Sequence, residues 1–123
     1  MRKIKFRAWI KSDKRMEKCV EINPFHIGDC DRLHWKHDEV EIMQYTGIKD
    51  KNEKDIYEGD IIQYDFMRAK IIYGFCGFDI EWITDRVAKI RQRKSEPMFH
   101  NTSIIFEVIG NIFENPDLLA IRD

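Results

Sequence analysis

Five residues able to bind metal, Cys19, His26, Cys30, His34 and His37, fall within nineteen positions. Zinc takes these ligand types, and Cys30, His34 and His37 would share a face if their segment were helical. The spacing argues against a zinc site. There is no C-x-x-C knuckle and no histidine pair set against a cysteine pair. Scattered polar and packing roles are the favoured reading, and no metal or other cofactor is expected. Cys76, between Gly74 and Gly77, reads as a small packed residue. A second group, Asp50, Asp55, Glu58, Asp60 and Asp65, could gather around a divalent cation. A calcium loop needs ligands at alternate positions and a closing glutamate, and that pattern is missing. Carboxylates that bond nearby backbone N–H groups are the better expectation. Asp60 is the best case, because after Gly59 its side chain can hold the turn that launches the next strand. No G-x-S-x-G elbow and no phosphate-loop glycine spacing occur. The chain is therefore not expected to be an enzyme.

The basic residues raise a different chemistry. Residues 1–18 hold eight basic and two acidic residues, and residues 67–103 hold seven and four. Residues 19–66 hold five basic against twelve acidic, and 104–123 one against four. Blocks of alternating sign suit neighbours within the fold or neighbouring copies in an assembly. The alternative is that the basic blocks form one phosphate-binding patch. It would use Lys3, Lys5 and Arg7, with Arg2 beside them, and Arg86, Lys89, Arg91, Arg93 and Lys94. Trp9, Trp35, Trp82, Tyr45, Tyr57, Tyr64 and Tyr73 could offer a stacking platform to bases or to a peptide. Core aromatics of a small barrel fit most of them better. Trp35, among His34, Lys36 and His37, is the one expected to be exposed or at an interface.

The elements that must position these residues are mostly strands. Ile4, Phe6 and Ala8 alternate with Lys3, Lys5 and Arg7, which predicts a strand with one buried face. A polar turn at 11–15 and a return strand over 16–22 would complete an N-terminal hairpin. Residues 23–38 are poorly legible. Val40, Ile42 and Gln44 alternate with Met43 and Tyr45, so that strand is expected to be covered on both faces. Gly47 is expected to break it. Gln44 to Ile62 is the organising stretch, two strands joined by the charged turn 49–54 and closed by Glu58-Gly59-Asp60. Strands then follow at 61–66, 69–74 and 78–83, the last two as a hairpin. A short basic helix is expected at 84–94 and a strand at 103–113, with Gly110 as a bulge or bend. Asn115 and Pro116 start a last helical turn, whose Leu118, Leu119 and Ile121 would plug the barrel. The expected fold is mainly β: a small open β-barrel, SH3-like in style, with one or two short helices. It is a single domain over 1–123 that admits a division into a hairpin segment, 1–42, and a barrel, 43–123.

At 123 residues and 43% hydrophobic, the chain can bury a core. No apolar run approaches membrane-spanning length, and the basic N-terminus leads into no signal core. Three unevenly spaced cysteines suit free thiols in a reducing cytosol.

Three phrases together resemble the YopX family of small bacteriophage and prophage proteins. They are Lys5-Phe6-Arg7-Ala8-Trp9 with Met16, then Met43 to Asn52 continuing through Ile56-Tyr57-Glu58-Gly59-Asp60-Ile61, and finally Phe106 to Leu119. The resemblance implies a phage- or prophage-encoded cytoplasmic protein with a barrel-like β fold. It implies homo-oligomers, an unidentified protein or nucleic-acid partner and no established enzymatic activity. Tyr45, Gly47, Tyr57, Glu58, Gly59, Asp60, Gly110, Asn115 and Pro116 are the structural punctuation of these phrases. Glu53 departs from the family's usual glycine after the asparagine. A tight turn with two positive-φ residues suits Glu53 poorly, so a wider turn, or one of another type, is expected there.

Overall fold

The computed structural model describes residues 4–18, 20–22, 27–29, 34–65, 67–74, 77–83, 95–98 and 105–120. The fold is mainly β, with a curled half-barrel sheet. The chain divides into two compact units, Met1–Tyr45 and Thr46–Asp123.

The first unit contains β1 (Phe6–Ile10), β2 (Arg15–Glu17), β3 (Val20–Ile22), β4 (Ile27–Asp29) and β5 (His34–Trp35). A 3-10 turn, His37–Glu39, leads into β6 (Val40–Lys49), which continues into the second unit. Strands β1 and β2 form the expected N-terminal hairpin, with Trp9 opposite Met16. The return strand is shorter than expected. It ends at Glu17, Lys18 is an exposed bend, and Val20–Ile22 starts a separate meander, β3-β4-β5. Ala8, Ile10, Ile27 and Val40 form the core here, with Val20, Trp35 and Ile42 packed against it.

The expected alternation of β1 needs correction. Ile4 is 69% exposed, whereas Arg7 is only 6% exposed. The register explains Arg7, which sits opposite Met43 with Ala8 opposite Ile42. Met43 and Tyr45 are themselves buried. Strand β6 is covered on both faces, as its pattern leads one to expect, and its neighbour β1 shares that cover.

The second unit contains the end of β6, β7 (Asp55–Tyr57), β8 (Asp60–Tyr64), β9 (Met67–Gly74), β10 (Gly77–Trp82), β11 (Ser95–Pro97) and β12 (Glu107–Asn111). Its antiparallel five-stranded sheet has the order β11-β10-β9-β8-β12. The β9–β10 hairpin stacks an apolar ladder on one face: Ala69 opposite Trp82, Ile71 opposite Ile80 and Tyr73 opposite Phe78. Ile56, Ile62, Ala69, Ile71, Ile80, Trp82 and Phe106 form the core. The register of β12 shifts between Val108 and Gly110, so Gly110 marks the expected bulge.

Gly47 does not end β6. It kinks the strand at φ 87°, and the strand runs on to Lys49. The Thr46 hydroxyl makes the kink tolerable by donating to the Ile56 carbonyl at 2.7 Å and accepting from the Ile48 amide at 3.2 Å. The C-terminal turn is a 3-10 helix, Pro116–Leu119, with no buried residue. Leu118 and Leu119 are half-buried, so they cap the surface and do not plug a core. Arg68 holds the turn by donating to the Leu118 carbonyl at 3.2 Å. Ile121 and the expected helix at 84–94 lie outside the described residues.

Candidate functional site

Asp50 follows the last residue of β6 and is 4% exposed. Its Oδ1 accepts from the amides of Asn52 at 2.8 Å and Lys54 at 2.9 Å. Its Oδ2 accepts from the Val108 amide at 2.9 Å, 58 positions along the chain. Three charge-assisted bonds leave this carboxylate little capacity for a cation. Backbone bonds repeat the link: Lys51 donates to Phe106, Asp50 to Lys54 and Glu53 to Asp50. Asn52 adds a side-chain bond to Glu107 at 3.0 Å. The turn is thus a three-residue loop, wider than an Asn-Gly hairpin, as expected. Glu53 still takes its left-handed position, at φ 63°, where glycine or asparagine usually sits.

The Tyr57-Glu58-Gly59-Asp60 corner follows the same logic. Asp60 is 1% exposed, and its Oδ2 accepts from the Tyr57 amide at 2.8 Å. Gly59 has φ 88°, which is why a glycine stands at the third position of the turn. Its amide donates to Ile71 and its carbonyl accepts from Ile112. This short corner therefore ties β9 to the chain beyond β12.

A third knot lies at Asn111 to Asn115. Asn111 Oδ1 accepts from the amides of Phe113 and Glu114 at 3.0 and 2.9 Å. Asn115 Oδ1 accepts from the Asn111 amide at 3.2 Å, and the Asn115 amide donates back to the Asn111 carbonyl. A Cβ at Gly110 would collide with the Asn115 side chain. Gly110, Asn115 and Pro116 therefore belong together. Asn111, the buried member of this knot, is a residue the sequence reading missed. Its one signal was a second asparagine four positions before Asn115-Pro116.

The remaining candidates separate. Asp55 lies 4.0 Å from Lys49, and Asp65 sits exposed in the β8–β9 turn at φ 55°. Among the described residues, no three His, Cys, Asp or Glu side chains gather as metal ligands would. Cys19, His26, Cys30 and Cys76 lie outside them. Of the basic candidates, Lys3, Arg86, Lys89, Arg91, Arg93 and Lys94 also lie outside. Lys5 stands over the Tyr45 ring, 4.6 Å from its centroid. Arg7 is buried, so it is not displayed to a phosphate. Tyr45, Tyr57 and Trp82 are core aromatics, and Trp82 Nε1 donates to Glu96 at 3.0 Å.

Trp35 is half-buried. It packs on the core of its unit, with the Arg15 guanidinium 5.6 Å from its ring centroid. Arg15 is held more firmly in its charged form by the hydrogen bonds it donates, first to Glu17 and then to Asp13. Among the described residues, the exposed aromatics are Tyr64 and Tyr73. Tyr73 is 63% exposed and meets Phe78 edge-on at 5.2 Å.

A curled antiparallel sheet whose turns are knotted by buried carboxylate and amide side chains is the class of protein these features define. The chain belongs to the YopX protein family, whose profile matches residues 5–120. It is similar to the crystal structure of protein EF1440 from Enterococcus faecalis, with 27% sequence identity and a TM-score of 0.69. That likeness covers 98% of this chain and 100% of the other. Comparison with curated proteins gives no match. The organising turns fall inside the region the family shares. Among the described residues, no helix is long and apolar enough to cross a membrane.

Proposed function

We propose that this YopX protein is a non-enzymatic accessory protein, phage- or prophage-encoded and acting in the bacterial cytoplasm. It self-assembles into a homo-oligomer and binds another macromolecule. The observation that carries this reading is the Tyr73–Phe78 rung. It has the same face and chemistry as the two rungs buried beside it, yet Tyr73 stands in solvent. Exposed apolar surface continuous with a core is where partners bind. The non-enzymatic part is supported by Asp50 and Asp60, whose carboxylates are engaged by backbone amides. Alternating charge blocks suit contacts between copies.

Size-exclusion chromatography with light scattering, with absorbance read at 260 and 280 nm, tests this reading. A discrete multimer without excess 260-nm absorbance is expected, and Tyr73→Ser should lower its mass. A monomer at all concentrations would overturn self-assembly. A monomer carrying nucleic acid that salt releases would instead favour binding by the basic residues.

A further inference from the structure

Strand β12 ends the order of its sheet, so its outer edge is the place where a foreign strand could add. That edge is occupied by other parts of the same chain. Val108 and Asn111 are the β12 amides that donate away from β8. Val108 donates to Asp50 Oδ2 and Asn111 to Asn115 Oδ1. Two outward carbonyls are also taken, Phe106 by the Lys51 amide and Asn111 by the Asn115 amide. Side-chain oxygens therefore stand where the carbonyls of a neighbouring strand would stand. At the other end of the sheet, β11 is three residues long and finishes in Pro97, a residue that itself blunts an edge.

We propose that the Asp50 hairpin is an edge guard, which keeps β12 from pairing with β12 of a second copy. This goes beyond self-assembly as such, because it says through which surface assembly must not run. An open edge added to an assembling chain gives unlimited growth in place of a closed multimer. The carboxylate is suited to the task. One oxygen holds the loop in shape while the other covers the edge, so the guard forms only when the hairpin is folded.

Asp50→Asn separates the two jobs. Its amide oxygen can still accept from Asn52 and Lys54, while its NH2 now faces the Val108 N–H, donor against donor. Light scattering over a hundredfold dilution series is read beside hydrogen exchange at the Val108 amide. The expected result is a mass above the wild type's that grows with concentration. On dilution, the Val108 amide of the dispersed variant should exchange roughly ten- to a hundredfold faster than in the wild type, the rate equivalent of a lost bond to a charged group. A folded D50N with an exposed Val108 amide and the wild-type mass throughout would overturn the proposal. If D50N does not fold, Asp50→Ser decides: a hydroxyl can still accept from a loop amide but is too short to bring a second oxygen to the Val108 amide. A concentration-dependent rise in its mass supports the guard. An unchanged mass means the hairpin is a folding determinant and not a guard.

Discussion

The two compact units differ in how many polar side chains they bury: among the described residues the first buries Arg7, the second Thr46, Asp50, Asp60 and Asn111. In Thr46–Asp123, the polar side chains that matter are buried and bond the backbone: Thr46, Asp50, Asp60 and Asn111. In Met1–Tyr45, the ion pairs of Lys11 and Arg15 lie at or near the surface. Lys11 meets Glu41 at 3.3 Å, and Arg15 meets Asp13 and Glu17. A buried acceptor that satisfies a backbone N–H is costly to remove, because the amide is left unpaired. An exposed ion pair gains little against water and side-chain entropy. The second unit thus fixes its turns with side chains, while the first relies on a small core of Ala8, Ile10, Ile27 and Val40.

The sharpest way to break this contrast is to remove Asp60. Asp60→Ala leaves the buried Tyr57 amide without that acceptor and frees the corner between β7 and β8. The expected loss is about 1.5–3 kcal/mol, read as a lower denaturant midpoint by Trp82 fluorescence in a background with Trp9 and Trp35 replaced by Phe. A loss below about 0.5 kcal/mol would mean that the turn is held by its neighbours and that the comparison overstates the carboxylate.

How much of this was legible depends on the range of each interaction. The Asp60 bond to Tyr57 spans three positions, and Gly59 announces it, so the sequence suffices. The β9–β10 hairpin was legible for a similar reason, with Gly74 and Gly77 bracketing its turn and apolar residues alternating on both sides. Asp50 reads only as a turn carboxylate, because nothing local says that its second oxygen reaches Val108. Arg7 misleads because alternation marks one buried face only when the other is solvated. Opposite Met43 the other face is buried too. The β3-β4-β5 meander escapes because its strands are two or three residues long, too short to show a period.

Glu53 offers a smaller test, in the opposite direction. It occupies a left-handed position that costs an L residue about 1–2 kcal/mol, and glycine regains part of that at an entropic cost in the unfolded chain. Glu53→Gly should stabilise the protein by about 1 kcal/mol and raise the thermal midpoint. A neutral or lower midpoint would show that the Asp50 bonds do not hold the loop in this conformation in solution.

The least effect is expected at Lys11, and its smallness is the point. Its Nζ lies 3.3 Å from Glu41 and donates to the Asp38 carbonyl at 3.0 Å, but both charged side chains are about half exposed. Water already solvates each charge, so pairing them replaces one favourable environment with another. A double-mutant cycle of Lys11→Ala and Glu41→Ala should give a coupling below about 1 kcal/mol. That coupling should shrink further in about 1 M salt, where the screening length falls to about 3 Å. A coupling near that of a buried bond, insensitive to salt, would erase the difference between the units. It would place the pair with Asp60 as a fixed part of the fold.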